Sequence, residues 1–219
     1  MRVQAVVWVM ALVLAACATT VSRDEAFSGG SGQSFAFIGV PLDELETHTL
    51  TFKRVDLASS TFLGSSFYVK VQPQGSERWR RVPKDRDEAA ALHFGGRQVA
   101  PGDYALVSHS VYRYLGSMST EEVNCYALGA AIYRFREGAI NIVLIPRFVP
   151  GWMQNAFGSP RKAAIDDETL QAQAVKSLAG SPNMTAPRVR AQPIGAARFE
   201  TDKSNCIASS SFSFTACPG

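Results

Sequence analysis

Apolar and polar positions alternate with period two over much of this chain, and one segment carries a helical stripe. Residues 34–40 (SFAFIGV) are an apolar, β-branched and aromatic run closed by Pro41, and they read as a strand. Over residues 47–57, Leu50 and Phe52 alternate and the phase then changes to Val55 and Leu57, the one-residue slip that a β-bulge produces. Phe67, Val69 and Val71 alternate with Tyr68, Lys70 and Gln72, a half-buried strand that Pro73-Gln74-Gly75 ends. Pro101-Gly102 suits the centre of a type II turn, with Gly102 at positive φ. The strand after it places Tyr104, Leu106, Ser108, Ser110, Tyr112 and Tyr114 on one face, and Ala105, Val107, His109 and Val111 on the other. Residues 130–135 (AAIYRF) and 139–145 (AINIVLI) flank Arg136-Glu137-Gly138, which predicts a hairpin. The second run is apolar apart from Asn141, as a central strand would be.

The helix is predicted at about 166–179. Asp166, Asp167 and Glu168 supply acid at its positive end, Gly180 suits its stop, and Leu170, Ala174, Val175 and Leu178 form a narrow apolar stripe. Residues 194–200 and 211–216 read as two more short strands. The fold class that follows is mainly β: an antiparallel β-sandwich with one helix in the C-terminal half. With 219 residues and 46% hydrophobic content the chain can bury one good core, so a single globular domain over 34–219 is expected. A net charge of +3 with no concentrated basic face argues against a nucleic-acid partner.

The beginning of the chain follows a different rule. Met1-Arg2 is a minimal positive start, and residues 3–14 are apolar except for Gln4. Twelve helical residues span ~18 Å, well short of a ~30 Å hydrocarbon core, so an export signal fits better than a membrane span. Leu14-Ala15-Ala16-Cys17 resembles the bacterial lipobox, in which a Leu and two small residues precede the cysteine. That resemblance implies a signal peptide over 1–16, a diacylglyceryl thioether on Cys17 and cleavage just before it. Each buried methylene contributes ~0.8 kcal/mol, and more than one acyl chain makes attachment effectively permanent. Ala18, where an Asp would favour inner-membrane retention, implies the outer membrane of a two-membrane host, with the domain facing the periplasm. Residues 17–33 read as the lipidated cysteine and a flexible tether, with a typical reach of ~20 to 25 Å.

The Pro-Gly-x-Tyr turn at Pro101-Gly102-Asp103-Tyr104 resembles that of small extracytoplasmic β-sandwich domains of the transthyretin-like or carboxypeptidase-regulatory type, and of uncharacterised lipoprotein domains. The likeness covers residues 97–143, implies a fold class and carries over no catalytic residue.

Candidate chemistry is sparse. His48, His93 and His109 are far apart in sequence and none has a ligand-spaced partner, so neither a metal nor a cofactor is expected. There is no Gly-x-Ser-x-Gly elbow and no glycine-rich phosphate loop. Arg78, Trp79, Arg80 and Arg81 form a basic, aromatic patch suited to lipid phosphates, but Glu77, Asp85, Asp87 and Glu88 neutralise much of it and favour a solvated hairpin. Phe148, Trp152 and Phe157 lie in a loop where exposed aromatics would serve binding. With Cys17 lipidated, Cys125, Cys206 and Cys217 remain in an oxidising compartment. Three pairings are open, and closeness in sequence favours Cys206–Cys217. Loop entropy gives ~3 kcal/mol for that bridge and ~4.5 kcal/mol for one involving Cys125, and geometry must decide.

The expected function is a non-catalytic envelope lipoprotein, a binding or structural module for an envelope protein or cell-wall component. The alternatives are a periplasmic lipid- or cell-wall-modifying enzyme built from dispersed residues, and a ligand carrier with a cavity between its sheets.

Overall fold

The computed structural model describes residues 26–30, 32–41, 46–72, 92–115, 118–145, 167–179, 181–202 and 206–217. Thirteen strands and one helix occur among them: β1 (Ser34–Pro41), β2 (Glu46–Asp56), β3 (Thr61–Val71), β4 (Leu92–Val99), β5 (Gly102–Leu115), β6 (Met118–Cys125), β7 (Ala130–Phe135), β8 (Ile140–Leu144), α1 (Asp167–Ala179), β9 (Arg188–Arg190), β10 (Pro193–Arg198), β11 (Thr201–Asp202), β12 (Ile207–Ala208) and β13 (Ser213–Ala216). The large sheet has the order β13-β10-β7-β5-β2-β3, with β6 pairing the outer half of β5, and the small sheet has the order β4-β1-β8-β9. The chain is a mainly β protein of the sandwich kind.

Strand parity sorts the side chains into layers. On β1, Ala36, Ile38 and Val40 face inward and meet Leu50, Phe52, Phe67, Val69, Leu106 and Phe135 of the large sheet. Aromatic rings fill this space: Phe52 stacks on Phe67 at 5.0 Å, and Tyr104 on Phe135 at 5.4 Å. The alternate residues Phe35 and Phe37, with Ile140 and Ile142 of β8, face the other way and pack under Ala174 and Leu178 of α1. A third cluster lies on the outer face of the large sheet, where Val107, Ala130, Ile132 and Ala197 are covered by Phe199 and Phe212 of the C-terminal segment. Of the expected helix stripe, Ala174 and Leu178 are buried, whereas Val175 is exposed.

The expected hairpin over 130–145 is instead a crossover. Gly138 has φ +67 as the turn requires, but β7 joins the large sheet and β8 joins the small one, parallel to β1. The cause is two-sided burial, since a strand apolar on both faces needs a layer on each side. An adjacent position beside β7 would leave Ile140 and Ile142 without the helix. The sandwich is therefore antiparallel throughout its large sheet and mixed in its small one, where β8 also runs parallel to β9. Asn141, the polar exception in β8, holds the crossover. Its Oδ1 accepts from the Arg136 N–H at 2.9 Å, and its Nδ2 reaches Ser34 Oγ at 2.8 Å and the carbonyls of Ala139 at 3.0 Å and Arg136 at 3.1 Å.

Phe27, expected within the tether, is packed. Phe27 is buried against Phe35 and Met184; its N–H donates to the Asn183 carbonyl at 3.0 Å, and its own carbonyl accepts from Thr185 and Ala186. A single phenylalanine among serines and glycines, with an apolar slot to enter, thus packs with the domain ahead of residue 34.

Replacing Asn141 with Leu leaves the Arg136 N–H and the groups around it unsatisfied, at a cost of about 3 kcal/mol. Urea denaturation should show that loss with an unchanged slope; a loss under about 1 kcal/mol would contradict the role given to Asn141.

Candidate functional site

Two strands with irregular registers build the polar part of the interior. On β5, Ser108 pairs with Thr51 and Leu106 pairs with Phe52, so Val107 is the extra residue of a bulge. Beyond it the side-chain phase reverses. Ala105 and Val107 face outward, while His109 and Val111 join Tyr104 and Leu106 on the inner face. The single alternation expected for this strand is thus broken once, and an imidazole is carried into the interior. On β2, Glu46 and His48 are two residues apart and share that inner face, and the shift expected between Phe52 and Val55 occurs between Lys53 and Val55.

The result is a chain of hydrogen-bonded side chains between β2 and β5. His48 Nδ1 and His109 Nε2 are 2.7 Å apart, with His109 0% and His48 1% exposed. His48 Nε2 lies 3.2 Å from Glu46 Oε2, and Arg113 Nε donates to Glu46 Oε1 at 2.8 Å. Arg113 Nη1 also reaches Glu122 Oε2 of β6 at 3.4 Å, and His109 Nδ1 meets the Tyr126 hydroxyl at 3.4 Å. Histidines separated by 61 residues are neighbours here, contrary to the expectation from sequence spacing. The parity of Glu46 and His48, and an imidazole within an otherwise apolar stripe, were the available signals, because a buried polar group needs a partner.

Electrostatics fixes the charge states. Burial alone would push the Glu46 carboxyl up, but hydrogen bonds from His48 and Arg113, together with their charge, hold it down at about 2. Burial, and then the neighbouring His48, push His109 down to about 3, against the pull of Glu46. The Tyr126 phenol is pushed up by burial. Glu46 is thus a charged acceptor and His109 a neutral ring at neutral pH. The bond between the imidazoles carries one proton, and its polarity sets which way the chain to Tyr126 points. Such a chain can pass a proton along its length or brace two strands. Among the described residues no buried side-chain polar atom lacks a partner. Among them too, no three His, Cys, Asp or Glu side chains are arranged to hold a metal ion, and the facing ring nitrogens of the two histidines are spent on each other.

The cysteines pair against expectation: Cys125 is bridged to Cys206 across Cα atoms 5.4 Å apart, and Cys217 is exposed and free. The registers explain it. β13 runs along β10 and carries Cys217 to the Ile194 carbonyl, which its N–H meets at 3.2 Å. The β11–β12 segment instead lies over the outer face beside the β6–β7 turn, where Phe199 N–H donates to Ala127 O at 3.0 Å. Cys206 is thereby set next to the end of β6. The other expected site residues, Cys17, Arg78, Trp79, Arg80, Arg81, Phe148, Trp152 and Phe157, lie outside the described residues.

No protein-family model matches the chain, and no curated protein matches it. Among solved structures, a leucine-rich repeat protein from Bacteroides thetaiotaomicron is similar over 55% of this chain and 14% of that one, at 12% identity and a TM-score of 0.30. That likeness is too slight to bear on fold or function.

Two outcomes follow. Glu46 has a lower pKa folded than its ordinary 4.5, so the unfolded chain binds more protons as pH falls. Stability that is fully present above about 4.5 should therefore decline towards about 2, and Glu46→Gln should remove that share of the decline in denaturant titrations run across this range. A maleimide added to the non-reduced protein, with Cys17 replaced by Ser, should label Cys217 and leave Cys125 and Cys206 unmodified; labelling of Cys125 would refute the pairing.

Proposed function

We propose that this chain is the precursor of an envelope lipoprotein, anchored by acyl chains on Cys17, whose β-sandwich is a binding or structural module rather than an enzyme. The observation that carries the reading is Leu14-Ala15-Ala16-Cys17 directly after a short apolar run. The Cys125–Cys206 bridge supports it, because such bonds persist where thiols are not kept reduced, as they are outside the cytoplasm. Phe27 is already part of the packed domain, so any free span between the anchor and the fold is shorter than the stretch 18–33. On this reading the domain stands close to the periplasmic side of the outer membrane, and its partners are an envelope protein or a cell-wall component.

The enzyme alternative draws on the carboxylate–histidine–histidine–tyrosine chain. Three properties weigh against it. The rings are almost wholly excluded from solvent, the Glu46 carboxylate is held by Arg113, and the pKa values of Glu46 and His109 are pushed away from neutrality rather than towards it. The aromatic filling between the sheets weighs against ligand carriage in the same way.

Cells expressing the full chain with labelled fatty acid should yield a labelled, membrane-held protein, and Cys17→Ala should lose the label and remain unprocessed. An unlabelled wild-type protein, or a Cys17→Ala form that is still cut and membrane-held, would overturn the proposal.

A further inference from the structure

We propose that the Glu46–His48–His109 chain is an acid-released latch that holds the outer half of β5, with β6, against β2. The geometry points to this in three ways. First, the two imidazoles belong to opposing strands of one sheet, so the bond between them spans the β2–β5 seam. With one proton in the 2.7 Å gap it is a hydrogen bond; a second proton in the gap removes the acceptor and sets two N–H groups against each other in a buried site. Second, the part beyond the seam lies at the border of the large sheet. Among the described residues β6 pairs with β5 alone, and residues 118–121 are exposed along its outer half. Third, the parts that bound a local opening are present: the Val107 bulge at the inner end of the released segment, and the Cys125–Cys206 bridge as a covalent leash at the end of β6.

The charged surroundings are mixed in effect. On β2 the Glu46 carboxylate favours added protons on the imidazoles, and Arg113 of β5 opposes them. Glu122 of β6 is tied to Arg113, and Tyr126 lies against His109 from the turn after β6. From the small sheet, the register of β4 places His93 opposite Val40 and Arg97 opposite Ala36, so both lie on the side that faces the large sheet. The remaining inward positions of β1 and β3 near this end, Ile38, Val40, Val69 and Val71, are apolar and give a new cation no acceptor.

The released state takes a proton on His109 at its ordinary 6.5, and the closed state resists it down to about 3. A lowered folded value means that closure is fully favoured above about 6.5 and weakens as pH falls towards about 3, by about tenfold in the opening constant for each unit.

Hydrogen exchange read by mass spectrometry on the purified full chain, corrected for the intrinsic pH dependence of exchange, tests this. Between pH 7.5 and 4.5 the protection of 108–115, 118–125 and 46–51 should fall by on the order of a hundredfold, while 130–144 holds steady. His109→Gln, which keeps a donor and an acceptor but cannot titrate, should flatten the change. Should that variant not fold, the wild-type map decides alone: localised loss supports the latch, and uniform loss or no loss overturns it.

Discussion

Strands with apolar side chains on both faces must be covered twice, and that constraint organises this molecule. β1 and β8 send alternate residues to the aromatic interior and to the helix layer, so the small sheet lies between the large sheet and α1. The large sheet is likewise covered twice where Val107, Ala130 and Ile132 face outward, and the C-terminal segment closes that side. Any polar side chain caught between these layers has no water to turn to. Asn141 meets the demand with backbone and Ser34; Glu46, His48, His109 and Arg113 meet it with one another.

The bulge at Val107 joins the covering rule to the polar chemistry. Without the extra residue His109 would stay in phase with Ala105 and Val107 and point outward. With it, the imidazole turns inward opposite Leu50 and beside His48. One inserted residue thus reverses which face of the strand is chemical. The carboxylate then fixes the rest, since Glu46 is bound by Arg113 and accepts from His48, leaving the proton between the two rings as the variable part.

Much of the secondary structure was legible in the sequence because period two survives in single strands. Residues 34–40, the alternation at Phe67, Val69 and Val71, the positive φ of Gly102 and the short strands near 194–200 and 211–216 all correspond to β1, β3, the start of β5, β10 and β13. What the sequence conceals is anything decided across layers. Gly138 makes the same turn whether the next strand pairs or crosses, so the β7–β8 crossover was hidden. Sequence distance misled for Cys206 and Cys217, because β13 draws one away while β11 and β12 carry the other to Cys125. Phe27 was invisible because its slot is formed by Phe35 and Met184. The histidine pair required both the strand pairing and the bulge, neither of which spacing encodes.

The role proposed for the buried, proton-sharing imidazole pair is to brace the sheet. Nitrogen-15 spectra of the histidine rings, recorded from pH 7.5 to 4.5 on the folded protein, test it most directly. We expect a neutral His109 ring throughout, joined to His48 by a slowly exchanging ring N–H. A His109 ring that titrates near 6.5 with rapid solvent exchange of its N–H would contradict it.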